Sequence, residues 1–204
     1  LRKDESLKNS ALELLKAVLT QAHSAVALKA RTIALLVELQ EFPLLHLLAQ
    51  SESPALATQA SLALCRLGHR SQVKLCPALT ESDDLTIAVQ AIDAMGRSGY
   101  DETLATLLET LNPDLDRMLI RASLQALERL GDQRSIRPLV QFLRDAPDYL
   151  KDTTVRTLRS VSSTRLGHSI EDWQGWVERN NPPPPPPYVL RSSNSTTVLG
   201  IPEP

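Results

Sequence analysis

The residues of this chain that could do chemistry are two cysteines, four histidines, a paired carboxylate and a run of arginines. Cys65 and Cys76 match neither a disulfide framework nor a zinc-ligand spacing. Both are expected as free thiols, Cys76 in the core and Cys65 more exposed. The histidines His23, His46, His69 and His168 are scattered, and none is followed by glutamate. That excludes the H-E-x-x-H arrangement, in which two histidines one helical turn apart grip zinc and a glutamate serves as base. There is no G-x-S-x-G elbow and no phosphate-cradling P-loop. Gly96-Arg97-Ser98-Gly99 reads as a helix end, and Asp83-Asp84 as a helix-capping turn. No nucleophile stands beside a base, so no catalytic, cofactor-binding or metal-ligating residue is assigned. The expectation is a protein that is not an enzyme.

The arginines are the remaining lead. Residues 115–167 carry 10 basic and 6 acidic side chains, whereas residues 1–114 carry 10 basic and 14 acidic. The basic excess is nearly all arginine: Arg117, Arg121, Arg129, Arg134, Arg137, Arg144, Arg156, Arg159 and Arg165. A guanidinium grips carboxylates and phosphates through two parallel bonds. The chain as a whole has a net charge of −2, so it sets up no global field for nucleic acid, and no nucleic-acid partner is expected.

What must position these arginines is a helix, a tight turn and a second helix, seen most plainly in Leu119 to Leu143. Leu119, Ala122, Ser123, Ala126, Leu127 and Leu130 recur at steps of three and four and share one helical face. Arg121, Gln125, Glu128 and Arg129 fall on the other. Gly131 suits a helix C-terminus, and Asp132 can cap the second helix. Ile136, Leu139, Val140 and Leu143 form the second stripe, and so short a turn makes the stripes face each other. The unit repeats. Gly68, Gly99 and Gly131 lie about 31 and 32 residues apart. Four residues before each stand Leu64, Met95 and Leu127, and five before stand Ala63, Ala94 and Ala126. Five after stand Val73, Leu104 and Ile136, and eight after stand Cys76, Leu107 and Leu139.

Ile120-Arg121-Ala122, Leu127 and Leu130-Gly131-Asp132 resemble the second helix and turn of a HEAT repeat, especially the short bacterial type also found in phycobilin lyase subunits. Val155-Arg156 resembles the same arginine position one repeat later, while Val89 departs from it. The resemblance covers roughly Ser6 to Gly167. It implies an all-α fold, a right-handed α-solenoid of about five HEAT-like helical hairpins. It also implies that Arg121 ties adjacent repeats and that the second helix of each pair lines a concave face. The partner-contacting residues there would be Gln90, Asp93, Arg97, Arg121, Gln125, Glu128, Arg156 and Arg159. The expected function is a non-catalytic scaffold that binds another protein through its repeats. The alternatives are a phycobilin-lyase-like subunit of an enzyme complex and a nucleic-acid-binding HEAT-like protein.

In chain order, the expected helix pairs are Leu7 to Ala22 with Ala25 to Gln40, and Glu41 to Gln50 with Pro54 to Leu67. Ser71 to Thr80 pairs with Leu85 to Met95, Asp101 to Leu111 with Leu115 to Leu130, and Ser135 to Arg144 with Leu150 to Ser162. Residues 1–167 thus make the repeat domain. Residues 168–181 read as a C-terminal Trp-containing cap helix, because Ile170, Trp173, Trp176 and Val177 share a face and a solenoid's last repeat must be covered. The cap is expected against Val155, Leu158 and Val161. Residues 182–204 read as a proline-rich extended tail or linker: Pro182 to Pro187 is polyproline II, and Arg191 to Thr197 should be flexible. Any touch of the tail on the body is expected through Tyr188, Val189 or Leu190. No run of 18 apolar residues exists, so no transmembrane segment is expected. The chain begins at Leu1, which fits an excised region or a processed form. A cytoplasmic location is the expectation, with an exported or membrane-tethered mature form as the alternative.

Overall fold

The computed structural model describes residues 26–192 and 195–199, together with Glu13 and Ala17. The expected helix Leu7 to Ala22 otherwise lies outside the described residues. Eleven helices are described: α1 (Val26–Glu38), α2 (Phe42–Leu48), α3 (Pro54–Arg66), α4 (Arg70–Val73), α5 (Cys76–Leu79), α6 (Leu85–Ser98), α7 (Leu104–Glu109), α8 (Arg117–Leu130), α9 (Ile136–Asp145), α10 (Asp148–Ser162) and α11 (Ile170–Asn180). One hairpin comes after them, β1 (Tyr188–Ser192) with β2 (Ser195–Leu199). The chain divides into two compact units, residues 1–64 and 65–204. In the first, α1 packs on α2, and Ile33, Leu36, Leu45, Leu56 and Leu64 are buried together.

In the second unit three aspartates cap the starts of helical segments. Asp84 accepts a bond from the Thr86 N–H at 2.8 Å, and Asp116 accepts one from Met118 at 2.7 Å. Asp132 accepts one from Arg134 at 2.9 Å, opening a 3₁₀ turn that runs into α9. Each satisfies a donor that the first helical turn leaves unpaired. The helix ends are equally regular. Gly68, Gly99 and Gly131 have φ of +79°, +70° and +64°, the left-handed region that ends a helix cheaply only with glycine. Ser163 takes the same conformation at the end of α10, with φ +54°, so the repeat continues one step further than its glycines. Pro77 stands in the first turn of α5, where its missing N–H matters least, and splits the first helix of its pair into α4 and α5.

Successive second helices pack side by side, α6 on α8 and α8 on α10, while α5, α7 and α9 each pack on the next helix in the chain. This is the α-solenoid arrangement. The turns are tied at the repeat interval. The Tyr100 hydroxyl donates to the Gly68 carbonyl at 2.8 Å, and Arg134 bridges Asp132 and, at 3.0 Å, Asp101. Met95, Leu104, Leu107, Leu127, Ile136 and Leu139, the columns read from the sequence, are all fully buried.

The cap helix α11 starts at Ser169, which accepts from the Asp172 N–H at 3.2 Å. Trp173 is fully buried and donates its indole N–H to the Gly167 carbonyl at 2.8 Å; Trp176 is half-buried and meets it edge-on. The helix lies chiefly along α9, not along α10 as expected. It occupies the place of the first helix of a further repeat, and in a stack first helices cover first helices.

Beyond Asn181 the prolines form no helix or strand, and Arg137 holds their start by donating to the Asn181 side chain at 2.8 Å and the Pro182 carbonyl at 3.2 Å. The next segment departs from expectation. Residues 188–192 pair antiparallel with 195–199, Val189 opposite Val198 and Leu190 opposite Thr197, instead of forming a loose linker. Four β-branched residues, Val189, Thr196, Thr197 and Val198, favour strand pairing, which outweighs the flexibility suggested by the serines. β1 packs on α7. Tyr188 is buried and shares a cleft of about 70 Å³ with Leu108, Leu111, Pro138 and Phe142.

Candidate functional surface

The outward stripes of α6, α8 and α10 lie side by side, each helix offset along the one before it, α6 against α8 and α8 against α10. On α8 the exposed residues step by three and four: Met118, Arg121, Gln125, Arg129. On α10 they are Tyr149, Asp152, Arg156 and Arg159. On α6 the matching stripe is Thr86, Gln90, Asp93 and Arg97, of which Gln90 and Asp93 are half-buried. The offset is fixed by buried geometry. Gly96 of α6 meets Ala126 of α8, and the Thr157 hydroxyl of α10 donates to the Leu124 carbonyl of α8 at 3.3 Å.

The eight expected contact residues all lie on these three helices, but they are not equivalent. Asp93 accepts from Arg97 at 2.9 Å within α6 and pairs closely with Arg129 of α8. Glu128 of α8 pairs with Arg156 of α10 at 3.5 Å. Arg159 turns to the segment that follows α10 and donates to the Leu166 carbonyl at 2.6 Å. Gln90 and Gln125 flank these pairs as neutral amides. Arg121 is exposed and makes no ion pair or hydrogen bond among the described residues. The expectation that Arg121 ties adjacent repeats is therefore corrected: Arg129 and Arg156 do so. The carboxylate nearest in repeat register to Arg121 is Asp152, and Asp152 is engaged by the His168 ring at 2.8 Å. Arg129 was not among the expected contacts, although it stands 32 residues after Arg97 in the same column.

These ion pairs stay partly in water, with side-chain exposures of 29 to 59 %. Each contributes little to stability, on the order of 0–1 kcal/mol. Their guanidinium groups remain able to turn towards another carboxylate. At the turn below, burial disfavours the Asp132 carboxylate, but the Arg134 side-chain bond, backbone N–H and charge outweigh it and hold its pKa below the usual range.

Cys65 is corrected as well. It is fully buried, like Cys76, and both thiols are free. The neighbouring Cys76 thiol and burial together push the Cys65 thiol up, away from the thiolate that a nucleophile needs. Among the described residues no three His, Cys, Asp or Glu side chains group as a metal site would require, and no helix is long and apolar enough to cross a membrane. A second cleft, of about 230 Å³, lies among Thr80, Thr106, Thr110, Leu115 and Leu119.

A family model described as HEAT repeats matches residues 41–125 and again residues 73–159, together more than half of the chain. No curated protein matches the sequence.

Proposed function

This chain belongs to the HEAT-repeat family, and we propose that it is a non-catalytic scaffold whose α6–α8–α10 surface holds the acidic face of a partner protein. HEAT repeats generally serve as protein-interaction scaffolds, and a stack of helices offers a broad surface in place of a reaction cleft. The observation that carries the reading is the charge of that surface. Arg97, Arg121, Arg129, Arg156 and Arg159 stand there against Asp93, Glu128 and Asp152, and Arg121 has no partner among the described residues. An unpaired, solvated arginine beside exchangeable ion pairs favours carboxylates arriving from outside, through charge-assisted, two-pronged bonds.

The test places a photo-crosslinking residue at Gln125, on this surface, and separately at Gln141, which is exposed on α9. The expected result is capture of one protein at Gln125 and not at Gln141, lost when Arg121→Glu and Arg156→Glu are combined. Equal capture at both positions, or capture indifferent to the charge reversal, overturns the proposal.

A further inference from the structure

The surface is not uniform along its helices. At the C-terminal ends stand Arg97, Arg129 and Arg159; at the N-terminal ends stand Met118 and Tyr149, which no expectation from the sequence had singled out. Met118 is 53 % exposed and Tyr149 is 60 % exposed, the largest values for big apolar side chains among the described residues of this unit. They lie 31 residues apart, one repeat interval, so each occupies the first turn of its own helix at the same level of the stack. Leu115, at the edge of exposure, precedes Met118. Tyr, Met and Arg are the side chains that interfaces concentrate, because the first two present large contact areas and the third a rigid fork.

Of the carboxylates beside this rim, three have partners of their own, and the basic Arg117 and Lys151 stand among them. Asp116 caps the Met118 N–H, Asp148 pairs with Lys151 at 2.7 Å, and Asp152 takes His168. The rim and the arginines are separated by the eleven residues from Met118 to Arg129, about 16 Å at 1.5 Å per residue. A helix with side chains is about 10–12 Å across. One helix laid over the stack therefore reaches both borders with its own side chains.

We infer that the segment this surface receives is an acidic amphipathic helix, its apolar side on Met118 and Tyr149 and its carboxylates on Arg129, Arg97 and Arg156. The inference rests on the scaffold reading above and names the chemistry of its partner. The apolar rim supplies the buried contact area, and the arginines set orientation and reject basic sequences.

The experiment measures fluorescence polarisation of three labelled helix-forming peptides on the full chain. One carries leucine on one face and glutamate on the other; the second replaces glutamate with lysine; the third replaces leucine with serine. The expected result is binding of the first alone, weakened by salt. Affinity should fall by about tenfold or more both in Met118→Ser/Tyr149→Ser and in Arg129→Gln. Both rim residues are exposed, so circular dichroism of that variant should match wild type. Binding of the lysine peptide as tightly as the glutamate peptide, binding of none, or undiminished binding by Met118→Ser/Tyr149→Ser overturns the inference. If the rim variant binds unchanged while the charge reversals still abolish cross-linking at Gln125, only the apolar anchors are refuted and the scaffold reading stands.

Discussion

Gly96 lies directly against Ala126: a Cβ on Gly96 would sit 2.5 Å from the Ala126 Cα and 2.6 Å from its Cβ. That is far inside van der Waals contact, and the obstructing atoms include backbone, which cannot rotate away. The missing side chain is what lets α6 and α8 approach closely, and Ile92, Met95, Leu124 and Leu127 on these two helices are fully buried. Helix propensity favours alanine over glycine by about 1 kcal/mol, so an unobstructed site would gain from the change. Here the helices must part instead, and Gly96→Ala is expected to lose about 1–3 kcal/mol by overpacking. Thermal unfolding decides it: a midpoint at or above wild type would mean that the interface yields without cost.

Burial rather than charge should hold the stack. Leu127 is fully buried, and Leu127→Ala is expected to cost about 2–5 kcal/mol in lost burial and cavity formation. Asp93, which joins α6 to α8 through Arg129, is 29 % exposed, and Asp93→Ala should cost less than about 1 kcal/mol. Urea unfolding of the two variants reads the comparison directly. Similar losses for both would make the ion pairs structural and remove their freedom to serve a partner.

The repeat was legible because its buried columns depend on local periodicity: Met95, Leu127, Leu104 and Ile136 recur at a fixed distance from a turn glycine. The tryptophan cap was legible for the same reason, as an apolar face with nothing in sequence to cover it. What escaped depends on neighbours one repeat away. Gly96 looked like part of a helix end because it sits three residues before Gly99, and only the opposing Ala126 gives it a packing role. Cys65 looked exposed because its column mates are Gly96 and Glu128, yet it meets Cys76 across the turn. Arg121 and Arg129 are chemically alike, and choosing between them requires knowing which carboxylate each can reach. The groove for Tyr188 is built from α7 and α9 together, so no single helix advertises it.

The cysteines offer a direct check on the interior. Cys65 and Cys76 are both fully buried, and the Cys65 thiol is held protonated by its neighbour and by burial. A thiol reagent should therefore find neither in the native chain and both after unfolding. Rapid reaction of either thiol in native buffer would show that Cys65 or Cys76 reaches solvent and that the turn between α3 and α5 is open.

The tail should come off with alkali. Tyr188 is 4 % exposed, and burial pushes its phenol up to about 12 from an ordinary value near 10. Only the neutral ring suits its place beside Leu108, Leu111 and Phe142. Because the folded value is the raised one, the stability gained from docking Tyr188 is complete below pH 10 and is lost as pH climbs through 12. Absorbance titration of the tyrosinates should show a step near pH 12 in the wild type that Tyr188→Phe lacks. Ending the chain after Asn180 removes this buried ring, together with the carbonyl of Pro182 that Arg137 binds, and should lower stability by about 1.5–3 kcal/mol. An unchanged unfolding midpoint after that truncation, or a titration identical in Tyr188→Phe, would show that the hairpin does not rest on α7 in solution.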